Sequence, residues 1–385
     1  MTEKLYYKDA YIKDFSAKVI DVVTDSRGTA LVLDKTAFFP EEGGQSADSG
    51  YISDSLVLDV KERGGMIYHY VDKAINVDTE VVCHINFDER FEKMQCHTAE
   101  HIISGIINKL YGLDNVGFHL GAEEVTMDVN GYVTREQLDE VELLVNRAVF
   151  DNVQVSAYFP TPDELSTLSY RSKLDLTENV RIVEIDGYDL CACCAPHVSR
   201  TGEIGLVKIL DFEKHRGGTR INIAAGYRAL RDYRVKYANV LKTSALFSEP
   251  QATVSSAAES FLISYNELKA KLKQTRLALA TLEAQRIEPT TGSFVALYPD
   301  FTPDELREVV NSAKDKIGGI LVALSGADGD YKLVMSSSFV ELSTGVYKQI
   351  FAALGGRGGG RDNMIQGSVS ATLNEIREYF LYNEF

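Results

Sequence analysis

The chain has 385 residues, 45% of them apolar and 25% charged, with 40 Lys and Arg against 56 Asp and Glu for a net charge of −16. At roughly 150 residues per domain, that length carries two or three domains with sizeable cores. The composition excludes disordered and fibrous chains. The acidic balance argues against a protein that coats DNA or lies on an anionic membrane, while leaving room for one local basic face. No apolar run reaches the roughly 18 to 20 residues that span a bilayer, and the start MTEKLYYKDAY lacks the apolar stretch of a secretion signal, so a cytoplasmic protein without membrane contacts is expected. Five cysteines are an odd number, and Cys191, Cys193 and Cys194 fall within four positions, which makes a poor disulfide framework and a better metal or thiol site.

From about residue 8 to residue 87, stretches such as AKVIDVV, TALVLDKTAFF, LVLDVKE, MIYHYV and TEVVCHINF alternate apolar with polar and are broken by DSRG, EEGG and RGG. That pattern predicts a small antiparallel barrel or curled sheet. Helical spacing then takes over, with Phe91, Met94, His101, Ile102, Ile106 and Leu110 on one face before Gly112, a C-terminal cap. A second helix opens near Thr134, with Glu136 in its first turn, and runs to about residue 150. Strands follow at QVSAYFP, VRIVEI, GLVKILDF and TRINIAA.

Beyond Gly226 the sequence predicts a helix over 227–247, a turn at Ser248-Glu249-Pro250 and a longer helix over 252–287. In the longer one, Val254, Ala258, Phe261, Tyr265, Leu268, Leu272, Thr275, Leu279 and Leu282 keep 4-3 spacing. Such spacing favours a coiled-coil hairpin, within the chain or between chains, over a single helix packed on its own domain. From residue 293, FVALYP, TPDELREVVNSAKDK, GGILVALSG, YKLVMSSS and STGVYKQIFAAL predict a small α/β domain. The fold class is therefore α+β: a β-barrel over 1–87, an α+β metal-containing domain over 88–226, a helical hairpin over 227–290 and a C-terminal domain over 291–385. The cluster Gly355-Gly356-Arg357-Gly358-Gly359-Gly360-Arg361 follows a helix instead of a strand, which excludes a nucleotide-binding P-loop and suggests a glycine-rich loop.

His97 and His101 stand at i and i+4 on one helix face, a suitable bite for one metal ion. Some ninety residues later comes Cys191-Ala192-Cys193-Cys194-Ala195-Pro196-His197, which sets a thiol and an imidazole four positions apart beside a turn former. Together these halves make a tetrahedral zinc set, one ion per chain, although each of the three cysteines could supply the sulfur. If the loop is strand-like, Cys191 and Cys193 face one way and Cys194 the other. Cys83 and Cys96 read as packing residues; His69, His84, His119 and His215 read as structural or surface residues, with His215 the one placed to touch an anion. The string His97-Thr98-Ala99-Glu100-His101 also fits the H-x-x-E-H pattern of inverted zinc peptidases, in which Glu is the general base. Those enzymes complete the site with a downstream carboxylate, where this chain offers Cys and His.

Phe38-Phe39-Pro40-Glu41-Glu42-Gly43-Gly44-Gln45 through Asp48 and Gly50, the His97/His101 pair and Cys193-x-x-x-His197-Val198 resemble the editing domain of alanyl-tRNA synthetases and the free-standing alanyl-tRNA editing hydrolases, AlaX. DEVELLVNRAVFDNVQV and TGEIGLVKI with GGTRINIAAG are similar to the segments that separate and follow the halves of that site. GGRGGGRDNMIQG resembles the C-terminal domain of the same synthetases, which also accompanies DHH phosphoesterases; no Asp-His-His triplet occurs here. Coverage is nearly the whole chain, with no room for the aminoacylation core. The resemblance implies the long free-standing form, hydrolysing the ester that joins serine, with glycine as a second candidate, to the tRNA for alanine. It implies His97, His101, Cys193 and His197 as zinc ligands, and Glu100 as a general base or a partner of a ligand.

Gly43 and Gly44 would let backbone approach the substrate, Gln45 offers an amide donor and acceptor, and Thr36 could bond a seryl hydroxyl that alanine lacks. A plain tight turn and ordinary strand packing are the competing readings. Between residues 208 and 242 stand nine basic residues, Arg216 and Arg220 among them, against three acids, an excess that could follow an acceptor stem. Arg357 and Arg361 add a second candidate RNA contact. The expected partner is tRNA(Ala) mischarged with serine or glycine, and a homodimer through the hairpin or the C-terminal domain stays open. The alternatives are a tRNA-binding protein with a structural zinc and an H-x-x-E-H zinc metallopeptidase.

Overall fold

Alternating apolar residues and glycine-marked turns curl the first part of the chain into a ring. The computed structural model describes residues 1–122, 124–172 and 179–383. It separates into two compact units, Met1–Lys242 and Thr243–Phe385. The first begins with β1 (Glu3–Lys4), β2 (Asp14–Asp25), β3 (Gly28–Leu33), β4 (Lys35–Thr36), β5 (Gly50–Ile52), β6 (Ser55–Arg63), β7 (Met66–Val71) and β8 (Glu80–Ile85). Antiparallel pairings run β2–β3–β7–β6–β5–β8 and return to β2, so the ring closes as a barrel and leaves no open edge in it. Val19, Leu31, Leu33, Ile52, Val60, Ile67, Val81 and Cys83 fill its interior from alternate strand positions.

There follow α1 (Phe87–Tyr111), β9 (Asn115–Leu120), β10 (Val125–Val129), α2 (Arg135–Asp151), β11 (Val155–Tyr158), α3 (Pro162–Thr167), β12 (Ile182–Ile185), β13 (Asp189–Ala192), β14 (Val207–His215), β15 (Gly218–Ala225) and α4 (Gly226–Phe247). The expected end of α1 at Gly112 holds, with φ 66°, and Thr134 caps α2 through a reciprocal capping box with Gln137. Strands pair in the orders β14-β15-β10-β9 and β11-β12-β13. One core joins Met94, Ile102, Ile103 and Ile106 of α1 to Met127, Leu138, Val141, Val145, Ile221 and Ile223. Unlike a surface helix, α1 is buried on nearly every side over its middle turns, including its Arg90, Lys93, Glu100, His97 and His101.

Those buried polar groups need partners, and the barrel supplies the first. Arg90 Nε donates to both oxygens of Asp48 at 2.9 Å, and its other nitrogens reach Asp48, the Ala10 carbonyl and the Ala37 carbonyl. Both side chains are within 1% of complete burial. Asp48 in turn accepts from the Phe39 amide at 2.6 Å, and Lys93 donates to the Ala47 carbonyl at 2.6 Å. The segment 37–48 is thereby fastened to α1.

In the second unit come α5 (Val254–Gln285), β16 (Phe294–Leu297), α6 (Pro303–Ala313), β17 (Leu321–Ala327), β18 (Asp330–Ser336), α7 (Thr344–Ala353), β19 (Arg357–Arg361), β20 (Met364–Val369) and α8 (Leu373–Tyr382). The sheet order is β16-β17-β18-β20-β19, with only β16 and β17 parallel among its described pairs. Leu321 and Ala323 face α6 and the end of α5, while Val322 and Leu324 face α7 and α8, so the sheet lies between two helical layers. The heptad residues Phe261, Tyr265, Leu268 and Leu272 of α5 stay exposed. One expectation changes: the glycine cluster ends in an edge strand, β19, instead of a loop. A side chain at Gly358 would strike the Phe351 ring at 2.1 Å, so bare backbone is what lets α7 press on this edge. Among the described residues no helix is long and apolar enough to cross a membrane.

Replacing Arg90 by Met should cost about 3–5 kcal/mol, because Asp48 keeps a buried charge without its partner. Urea unfolding at neutral pH measures it, and a loss below about 1 kcal/mol would show that the pair is not the clamp described.

Candidate metal centre

Helix α1 projects His97 and His101 from one face, and the loop after β13 brings Cys193 and His197 against them. One donor atom from each lies within 4.8 Å of every other, and all three imidazoles are buried. Cys193 Sγ is 3.6 Å from His97 Nε2 and 3.4 Å from His197 Nε2. The ring centroids are 4.8 to 5.4 Å apart.

Every far ring nitrogen is already engaged. His97 Nδ1 donates to Gln45 Oε1 at 2.8 Å, His101 Nδ1 lies 2.8 Å from Asp189 Oδ2, and His197 Nδ1 is 3.1 Å from Thr98 Oγ1. Since Thr98 gives its own proton to the Met94 carbonyl, it accepts from His197. The three histidines therefore carry the Nδ1–H tautomer and turn Nε2 lone pairs toward one point, an assignment that follows from the hydrogen-bond network. Burial disfavours charge at Cys193, yet His97, His197 and His101 hold its thiol well below the usual range. Burial also opposes charge on His101, but Asp189, Cys191 and Cys193 hold its pKa well above that of an ordinary imidazole. His197 is pushed down to about 3, by burial first. Three imidazoles and one thiolate converging within 4.8 Å of one another fit a four-coordinate metal ion.

The Gly43-Gly44 step serves the protein's own backbone. Glu42 and Gln45 exchange backbone hydrogen bonds at 3.2 and 3.0 Å across Gly43 and Gly44, whose φ values are 62° and 84°. Two successive positive φ angles define a tight turn that glycine adopts without strain. A side chain at Gly44 would meet the Phe118 carbonyl at 2.2 Å, and one at Gly43 would sit 3.5 Å from Cys194 Sγ. The turn pins Gln45 between β9 and His97. Gln45 is fully buried, and after Oε1 accepts from His97 its Nε2 has no partner among the described residues.

Other expected site residues lie elsewhere. Glu100 Oε1 accepts from Ser104 at 2.5 Å and from Asn115, and Glu100 does not contribute to the four-donor group. Its partners make it an internal acceptor under α1. Thr36 is buried with its hydroxyl 2.9 Å from His69 Nε2 and accepting from the Phe38 amide at 3.1 Å. Arg216 is exposed at the β14–β15 turn, whereas Arg220 is held by Asp128 at 2.7 and 2.8 Å. Arg357 and Arg361 are exposed at the ends of β19. Cys191 lies with His101 and Asp189, on the same side as Cys193, as strand alternation implied; Cys194 keeps a high pKa through burial, Cys193 and Glu42. Sequence reading missed Asp189, Thr98 and Arg181, whose guanidinium binds the Cys193 and Ala195 carbonyls at 3.0 and 2.9 Å and so fixes the ligand loop. An Asp and an Arg without a motif carry no local signal of such roles.

With this geometry established, comparison with known proteins shows what the chain is similar to. Residues 180–222 match the threonyl and alanyl tRNA synthetase second additional domain, residues 2–89 match class II (A) tRNA synthetases, and residues 291–381 match the DHHA1 domain. Over 98% of its length the chain is 29% identical to the alanyl-tRNA editing protein AlaX-L of Pyrococcus horikoshii, 96% of which is covered. It is 29% identical over 95% of its length to the alanine–tRNA ligase of Methanobrevibacter smithii, and 30% over 97% to that of Thermococcus kodakarensis. It spans only 44% and 42% of those ligases. The resemblance to the long free-standing editing form thus extends across the whole chain.

The Thr36–His69 pair gives a pH test. Burial pushes His69 down to about 4, against the opposing pull of the bond its Nδ1–H donates to the Leu31 carbonyl, and its Nε2 accepts from Thr36 only while the ring is neutral. A depressed folded-state pKa contributes stability that is complete above the unfolded value near 6.5 and is lost as pH falls through about 4, some 3 kcal/mol in all. Urea unfolding of the protein and of a His69→Leu variant at pH 7 and pH 4.5 should show a shallower acid loss in the variant. Equal losses would mean His69 is not buried neutral.

Proposed function

We propose that the chain is a metal-dependent, trans-acting hydrolase that deacylates tRNA(Ala) mischarged with serine, with glycine as a second substrate. The observation that carries this reading is the pairing of a three-histidine, one-cysteine centre with the unpartnered buried amide of Gln45, in a chain similar end to end to an alanyl-tRNA editing protein. Zinc is the ion that suits this donor set, one per chain, held by His97, His101, Cys193 and His197. Once bound, it would polarise the ester carbonyl or lower the pKa of a water.

The remaining work falls to the chain. An aminoacyl ester is already activated, so positioning and charge stabilisation suffice without a covalent nucleophile. Gln45 Nε2 is a donor that costs free energy while unpaired and is satisfied when an ester oxygen or the attacking water accepts from it. Its carbonyl end orients His97 at the same time. Gly43 and Gly44 hold that amide in place, and Thr36 remains the candidate for recognising a seryl hydroxyl, which requires its contact with His69 to be shared or exchanged. Arg216, Arg220, Arg357 and Arg361 are the candidate tRNA contacts, with the division into 1–87, 88–226, 227–290 and 291–385 as the functional layout. The exposed heptad face of α5 supports a homodimer through the helical segment. The metallopeptidase reading is weakened because Glu100 lies outside the four-donor group and its Oε1 accepts from Ser104 and Asn115.

Incubating the protein with seryl-, glycyl- and alanyl-tRNA(Ala) should release serine fastest and spare alanine, and a chelator should abolish the release. No hydrolysis at saturating, zinc-loaded enzyme would leave a tRNA-binding protein with a structural metal. Gln45→Leu should lower kcat about 10²- to 10³-fold, as loss of one transition-state donor does. Glu100→Gln should keep most of its turnover; a comparable fall there would restore Glu100 as the base.

A further inference from the structure

We propose that Asp189, clamped by Arg171, is the positioning residue that aims His101 at the metal and sets how tightly the centre holds it. The inference builds on the metal-dependent reading above. Three observations support it. First, the contact is built into the backbone. A side chain at Gly105, one turn after His101 on α1, would meet the Tyr188 carbonyl at 2.2 Å and Asp189 Cβ at 3.1 Å. Glycine there is what allows β13 to dock closely enough for Asp189 to reach His101 Nδ1 at 2.8 Å.

Second, the carboxylate is saturated in a way that dictates its job. Asp189 is buried, its Oδ1 accepts from Arg171 Nε at 2.7 Å, and its Oδ2 accepts from Arg171 Nη2 at 2.8 Å and from His101. Arg171 is itself fixed by backbone bonds, its amide donating to the Leu190 carbonyl at 2.8 Å and its carbonyl accepting from the Ala192 amide at 2.9 Å. His101, Asp189 and Cys191 also form a three-residue group with metal-ligand chemistry. The bidentate guanidinium and His101 take three of the carboxylate's roughly four lone-pair sites and match its charge, and Asp189 is not among the four converging donors, so it acts through His101 and not as a ligand.

Third, His101 is singled out. His97 and His197 rest on an amide oxygen and a hydroxyl, whereas His101 alone rests on a carboxylate. A carboxylate partner fixes ring orientation and raises the donor strength of the opposite nitrogen, and removing such partners typically weakens metal binding 10- to 100-fold.

The test reads metal affinity and needs no tRNA. Apo protein competes with a chromogenic chelator for Zn²⁺, and the Co²⁺ form reports coordination geometry. Asp189→Asn, which keeps shape and hydrogen-bonding capacity but not charge, should bind zinc about 10- to 100-fold more weakly while its Co²⁺ spectrum stays tetrahedral. Arg171→Gln should give a smaller loss, and Arg220→Gln, which frees a comparable carboxylate away from the centre, none. Urea unfolding of the apo forms separates a general loss of stability from a loss of affinity. A folded Asp189→Asn protein with affinity within twofold of the parent overturns the proposal; should that variant not fold, Arg171→Gln decides by the same criterion. Normal zinc binding without any hydrolysis of seryl-tRNA would defeat the catalytic reading and leave this one standing, and unchanged affinity in an active Asp189→Asn enzyme would do the reverse.

Discussion

The buried ion pair between Arg90 and Asp48 is the constraint on which the centre's geometry depends. It joins two pieces that have separate reasons to exist: the end of a barrel segment and the first turn of a core helix. Charges removed from water are expensive, and this pair is tolerable because Arg90 also caps two carbonyls and Asp48 also accepts an amide. The return on that arrangement is registry. With 37–48 fastened to α1, Gln45 lands beside His97, seven residues along the same helix from Arg90, and the metal cluster acquires an amide from an element that shares none of its ligands.

The same logic explains why so polar a helix sits in a core. Arg90, Lys93 and His97 face the segment 37–48, Glu100 faces β9 and His101 faces β13, so α1 works as an axle around which those three pieces are indexed. Buried polar networks of this kind tolerate few partial solutions, because an unpaired member costs more than the pair contributes. Only Gln45 Nε2, Tyr6 Oη and Arg228 Nε are left without a hydrogen bond among the described buried side-chain atoms; Arg228 Nε still lies 3.6 Å from a Glu92 oxygen, and Gln45 Nε2 lies beside the ligands.

Much of this was legible in the sequence because it is periodic or local. Barrel alternation, the helix start near Thr134, the Gly112 terminus and the two pairs of candidate ligands all announce themselves within a few residues. What stayed hidden is set by tertiary contact. The Asp189–His101 and Thr98–His197 bonds join residues far apart in the chain, and nothing local marks those side chains. The position of Glu100 in an H-x-x-E-H string says nothing about which way it turns; its Oε1 accepts from Asn115 and Ser104, contacts the string does not announce. The glycine-rich stretch misled for a different reason: bare residues are read as loop, although here they make an edge strand under Phe351.

Electrostatics show the same difference between a count and a contact. The nine basic residues of 208–242 outnumber the acids of that window, but Lys208, Arg220, Arg228, Arg231 and Lys236 form ion pairs, mostly with acids from other segments such as Glu142, Asp128 and Glu92. A paired cation gains less from a phosphate, since it must first give up or share its carboxylate. Lys214, Arg216, Arg234 and Lys242 make no ion pair among the described residues, which leaves four of the nine cations without a carboxylate. On a chain with net charge −16, so few unpaired cations do not amount to a broad basic face, and the bare count of nine overstates the field a polyanion would meet.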